Sequence, residues 1–138
     1  EGIKGLSKMQ DGVWEQLEQN CPIKDKKWDK EALYEYLVWS CNANYHQRLK
    51  DFFDGYRKDE ELAGLLFDFL LDDEYDGSDC QISAAYYISG LDREILKRKQ
   101  QLLLQAQENA VLWKRPFQDR SYLEWLQTPG DKIRITEI

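Results

Sequence analysis

Apolar residues recur along the chain at three- and four-residue intervals, the spacing that lines up one face of an α-helix. Val13, Trp14, Leu17 and Cys21 make the first such stripe, and Pro22 ends it. After a lysine-rich connection, KDKKW, Asp29 has the place of an N-cap for KEALYEYLVWSC. In that segment Leu33, Tyr36, Leu37 and Ser40 form one stripe and Tyr34, Val38 and Cys41 its neighbour, and both read as buried. Beyond the CNAN break, Tyr45, Leu49, Phe52, Phe53 and Tyr56 define a third helix that Gly55 helps to finish. Asp59 precedes a fourth, EELAGLLFDFLLDD, with Glu60 and Glu61 well placed at the positive end of its dipole. Ser78 and Gln81 have capping-box spacing before a fifth, DCQISAAYYIS, closed by Gly90. Asp92 then opens the longest helical stretch, REILKRKQQLLLQAQENA, and Pro116 breaks the chain after it. Ser121 and Glu124 repeat the capping-box spacing ahead of YLEWLQ, residues 128–131 supply a turn, and only the tail KIRITEI alternates like a strand. The pattern predicts an all-α fold of six or seven short helices in antiparallel pairs, with a short strand-like tail and no repeating period.

A chain of 138 residues, 42% hydrophobic, is long enough to bury one core without disulfides or metals. Its longest apolar runs are broken by charges well short of the ~20 residues of a membrane span. Met9 reads as a native start, which makes residues 9–138 a single helical domain and residues 1–8 an expression remnant or a natural extension; a fragment of a longer protein is the alternative. Cys21, Cys41 and Cys80 are odd in number and lack C-x-x-C spacing, which suits reduced thiols in a cytoplasmic protein.

The net charge of −7 is unevenly spread. Residues 51–80 carry eleven carboxylates against Arg57 and Lys58, a local balance of −9, while fifteen acidic and seventeen basic side chains outside that segment leave +2. Such a segment repels nucleic acid and anionic lipid and attracts cationic partners. Within it, LLDDEYDGSDCQIS invites comparison with a calcium loop. Asp72, Glu74, Asp76 and Gly77 fill positions 1, 3, 5 and 6, but position 12 is Ser83, which cannot replace the bidentate glutamate. No metal and no cofactor is therefore assigned. Asp72, Asp73 and Glu74 also oppose the dipole at the end of the fourth helix, so helix stability alone does not account for them.

Chemistry-bearing motifs are sparse. His46, the single histidine, follows Cys41 across a helix break and reads as a polar residue at a helix start rather than as half of a catalytic pair. Asp68, Asp72 and Asp76 would share a face if the helix ran on, as magnesium ligands or an acid–base pair require, but no histidine or lysine in the segment completes such a site. No phosphate-binding glycine motif occurs, and KDKK and KRK are short and offset by acidic neighbours. An enzyme is not expected. Tyr56, Tyr75, Tyr86 and Tyr87 lie in or beside the acidic region, where a rigid ring with a polar tip suits an interface.

This acidic, helix-patterned chain, carrying DFFDGYRKDEELAGLLFDFLLDDEYDGSDC, resembles the small immunity proteins of bacterial toxin and immunity pairs in general character, though that group shares no signature motif. The resemblance implies an inhibitor that neutralises a cationic toxin, a nuclease domain, through an acidic surface. Asp68, Asp72, Asp73, Glu74, Asp76 and Asp79 would supply the field and Tyr75 an anchor, with no nucleic acid or membrane as partner. The competing expectation is a non-catalytic adaptor or assembly subunit that uses apolar and aromatic helical surfaces.

Overall fold

The computed structural model describes residues 12–127, and these are mostly helical. Helix α1 covers 12–19, followed by α2 (Lys30–Trp39), α3 (His46–Asp54), α4 (Glu60–Leu71), α5 (Asp79–Ser89), α6 (Arg93–Arg98), α7 (Gln100–Gln107), α8 (Ala110–Lys114) and α9 (Tyr122–Gln127). A 3₁₀ turn, Asp73–Tyr75, lies between α4 and α5. The expected turn at 128–131, the strand-like tail and the segment around Met9 lie outside the described residues.

Helix α5 is the centre of the fold. It is buried at Cys80, Gln81, Ile82, Ser83, Ala84, Ala85, Tyr87 and Ile88, which leaves no broad polar face and marks a helix enclosed by others. Helices α4 and α2 pack against it, α7 packs on α4, and α8 and α9 pack on α7. Leu33, Leu37, Leu62, Leu66, Phe67, Phe69 and Leu70 fill the space between these helices, each with 1% exposure or less. Burial of a side chain of this size contributes roughly 1.5–3 kcal/mol. The connection between α4 and α5 spans only residues 72–78, and such short links make sequence neighbours pack together.

The expected caps are present. Asp29 accepts from the Glu31 amide at 3.1 Å, Asp59 from Leu62 at 2.9 Å and Asp92 from Glu94 at 3.3 Å. Each satisfies an amide left free in the first turn of its helix.

Three expectations are corrected. The lysine-rich connection is a small hairpin, β1 (Ile23–Lys24) with β2 (Lys27–Trp28), in register Ile23 opposite Trp28. Its turn residues Asp25 and Lys26 have φ of 51° and 65°, the left-handed pair of a type I′ turn. The hairpin delivers Trp28 edge-on to Phe52 and Tyr56, with centroids 6.1 and 5.2 Å away. The long stretch after Asp92 is not one helix. It bends at Lys99, whose carbonyl accepts from both Leu102 and Leu103, and ends at Asn109, whose side chain caps α8 through Val111 at 2.8 Å and Leu112 at 3.3 Å. Finally, Tyr34 does not share the burial of Cys41: it is 37% exposed, with Val38 half-buried between them.

Candidate functional site

The acidic stretch begins where α4 stops. Asp72 has extended backbone, and its Oδ1 accepts from the Glu74 amide at 3.0 Å, so it caps the 3₁₀ turn. Asp73 and Glu74 thus stand in the first turn of a new element, at its favourable end, rather than in the last turn of α4. The break also separates Asp68 from Asp72 and Asp76, which do not share one helical face. Gly77, at φ 78°, makes the left-handed step that returns the chain to Ser78.

Gln81 holds this loop from the inside. Ser78 Oγ accepts from its amide at 3.2 Å, as the capping-box spacing predicts. The return bond is shifted by one residue: Gln81 Oε1 accepts from the Gly77 amide at 2.9 Å. Its Nε2 donates to the Leu70 carbonyl at 2.9 Å and to Asp76 Oδ1 at 2.8 Å. The side chain is fully buried, and its bond to Leu70 forms away from solvent while those to Gly77 and Asp76 reach exposed residues, so that together they tie the end of α4 to the start of α5.

The predicted binding residues separate into groups. Asp72, Glu74 and Tyr75 line one open cleft of about 820 Å³ with Lys30, Glu31, Tyr34, Glu35 and Phe69. Asp76 is exposed but turned to Gln81, with the Asn109 amide 3.5 Å away. Asp79 opens α5 and lines a separate hollow of about 170 Å³ with Val38, Trp39, Cys41 and Asn42. Asp68 and Asp73 are exposed and line neither.

The cleft has an aromatic floor. Tyr34, Phe69 and Tyr75 are mutual neighbours, with centroids 6.2, 5.9 and 5.2 Å apart. The ammonium of Lys30 lies 5.1 Å from the Phe69 centroid. Glu31, Glu35, Asp72 and Glu74 against Lys30 give the lining a charge of −3. The ion pairs Lys50–Asp54, Arg57–Asp54, Lys97–Glu94 and Arg98–Glu60 lie elsewhere, and among the described residues the five charged groups of the cleft form none. Partial desolvation, then nearby Cys80 and the carboxylates of Glu74 and Asp72, push the Tyr75 phenol above its usual range.

The other chemical groups are occupied by structure. Cys41 Sγ lies 3.2 Å from Ser83 Oγ, while His46 Nδ1 lies 2.9 Å from the Ser40 carbonyl, so neither group's nearest partner is the other. Burial pushes the Cys41 thiol up to about 11 and the Cys80 thiol up to about 12, the opposite of what an activated nucleophile needs. Among the described residues, no group of three or more His, Cys, Asp and Glu is arranged to hold a metal ion. A second cleft, about 350 Å³, is lined by Lys50, Asp54 and Arg57 with apolar residues of α3, α4 and α5. Burial there would raise the Asp54 carboxyl, but hydrogen bonds from Arg57 and Lys50 and their charges outweigh it and hold it below the ordinary carboxylate range. Asp54 is thus neutralised within the cleft, whose two cations and one carboxylate leave it slightly positive.

Of the tyrosines flagged beside the acidic region, Tyr75 alone lines the acidic cleft. Tyr56 packs on Trp28, Tyr86 beside His46, and buried Tyr87 donates to Ser40 Oγ at 2.9 Å. The sequence reading missed Glu31, Tyr34 and Glu35. Their signal was present, because i, i+3 and i+4 on α2 share the face left over once Leu33, Tyr36 and Leu37 are assigned to the core. Among the described residues, no helix is long and apolar enough to cross a membrane. No family model, curated protein or solved structure matches the chain.

Proposed function

We propose that the protein is a binding module that captures a cationic protein through the cleft between α2 and the 3₁₀ turn, in the manner of an immunity protein neutralising a basic toxin such as a nuclease domain. The observation that carries this reading is the pairing of an aromatic floor with carboxylates that form no internal ion pairs. Aromatic rings supply rigid contact area at low entropic cost, and unpaired carboxylates supply a field that speeds encounter with a positive surface. The concentration of charge in residues 51–80 extends that field beyond the cleft.

The test is capture from the source cell at about 50 mM salt with wild-type protein and with the triple variant Glu31→Gln, Glu35→Gln, Glu74→Gln. A basic protein held by the wild type, released by high salt and not held by the variant supports the reading. Equal retention by both sinks it. A second reading, an adaptor that docks through apolar helix surfaces, draws on the exposed Leu123 of α9 at 58% and Val111 of α8 at 41%. Capture that is insensitive to salt and lost in Leu123→Ser would favour it.

A further inference from the structure

Lys30 is in an unfavourable place for a lysine. It is the first residue of α2, where the helix dipole disfavours a cation, and among the described residues it forms no ion pair. Its ammonium instead lies over the face of Phe69, inside a lining that holds four carboxylates. An aromatic face attracts a positive charge through its quadrupole, and carboxylates beside it add to that attraction. The cleft thus already holds one cation, supplied by the chain itself. With Lys30 in place the lining still carries −3, so the site is under-neutralised and has capacity for another.

The faces left for that second cation belong to Tyr34 and Tyr75, whose centroids are 5.9 Å apart at a 43° tilt. A flat guanidinium stacks on tyrosine and can bond carboxylates in a fork, whereas an ammonium is a compact, strongly hydrated point charge. A volume of about 820 Å³ takes a long side chain together with the backbone that presents it. We infer that the cleft is a seat for a single arginine side chain on a loop of the cationic partner, and that the Lys30 charge on the neighbouring Phe69 face weakens its hold. This inference rests on the cationic-partner reading and deepens it by naming what the cleft recognises.

The test needs no partner. The full chain is titrated by NMR with the tripeptides acetyl-Gly-Arg-Gly-amide, acetyl-Gly-Lys-Gly-amide and acetyl-Gly-citrulline-Gly-amide, citrulline being the neutral counterpart of arginine. The arginine peptide should shift the resonances of Tyr34, Tyr75 and Lys30, the lysine peptide should bind several-fold more weakly, and the citrulline peptide should leave those resonances in place. Lys30→Met, which keeps the apolar stem and removes the charge, should tighten the arginine peptide about two- to five-fold, in line with the loss of one neighbouring like charge at the surface. Tyr34→Ala, at an exposed position, should weaken it at least three-fold. Equal binding of arginine and citrulline, equal binding of arginine and lysine, shifts confined to other parts of the chain, or unchanged affinity in Lys30→Met would each overturn the inference. Loss of the seat with retained salt-sensitive capture leaves the cationic-partner reading standing. A working seat with salt-insensitive capture removes that reading instead.

Discussion

Replacing Gln81 by leucine isolates the bonds that shape the acidic loop, because leucine keeps most of the volume and removes every polar atom. Three groups then lose a partner: the Gly77 amide at 2.9 Å, the Leu70 carbonyl at 2.9 Å and Asp76 at 2.8 Å. Their fates differ. Gly77 and Asp76 are exposed and recover water, so each of these losses is small. Leu70 is 1% exposed, and its carbonyl is left unpaired out of reach of solvent, which costs about 1–3 kcal/mol. With the two weaker losses added and a little returned by the apolar side chain, the expected destabilisation is about 2–3 kcal/mol. For a chain of this size that lowers Tm on the order of 10 °C. Urea unfolding followed by circular dichroism measures it, with an unchanged m-value to show that the unfolded state is the same.

Gln81→Glu provides the internal control. It preserves shape but sets a second carboxylate against Asp76 and Leu70, so its folded-state pKa is raised. The native state then binds the extra proton more tightly than the unfolded state, and the deficit against wild type is largest at neutral pH and shrinks on acidification, as protonation restores a donor. A loss under 0.5 kcal/mol for Gln81→Leu, or a Gln81→Glu deficit that is the same at pH 5 and pH 8, would refute the role given to this side chain.

Stability should fall in alkali, because the Cys41 and Cys80 thiols ionise near 9 in the unfolded chain but are pushed up to about 11 and 12 by burial. The folded state holds these protons longer, so the contribution is complete below pH 9 and is lost as pH rises toward 11–12, at up to ~1.4 kcal/mol per unit for each thiol; urea midpoints that stay level from pH 8 to 10.5 would contradict it. In the native protein at pH 7.5, a thiol reagent should modify half-buried Cys21 first and reach Cys41 and Cys80 only on unfolding, as mass spectrometry of digests can verify. The double change Asp25→Asn, Lys26→Gly should stabilise the chain by about 1 kcal/mol, since both positions have positive φ; a lower Tm for that variant would argue against the type I′ turn.

Helix positions were legible because the sequence writes them twice, once as apolar spacing and once as caps. Asp29, Asp59, Ser78 and Asp92 each make the capping bond their position implied. What escaped lacked such redundancy. The hairpin turn uses Asp-Lys rather than a pair containing glycine, so left-handed backbone there carries no compositional mark. Lys99 bends its helix without a proline or glycine, and Asn109 looks like an ordinary helix residue until its side chain turns back to cap α8. The candidate site was legible in part. Asp72, Glu74 and Tyr75 reach the cleft, but Asp72 and Asp76 also perform local tasks, as cap and as Gln81 partner, that charge counting does not separate from recognition. Tyr34 and its glutamates are distant in sequence from the acidic run, and packing of α2 against α5 together with the return of the chain at Asp72 brings them beside it.

The central claim is that the unpaired carboxylates of the cleft attract and hold a cationic partner. It is tested most directly by the association rate constant with the captured partner, measured by stopped flow from about 20 to 500 mM salt for wild type and for the Glu31→Gln, Glu35→Gln, Glu74→Gln variant. The account predicts a wild-type rate that falls steeply with salt, and a variant that is at least ten-fold slower at low salt with a flatter dependence. Identical salt profiles for the two proteins would contradict it.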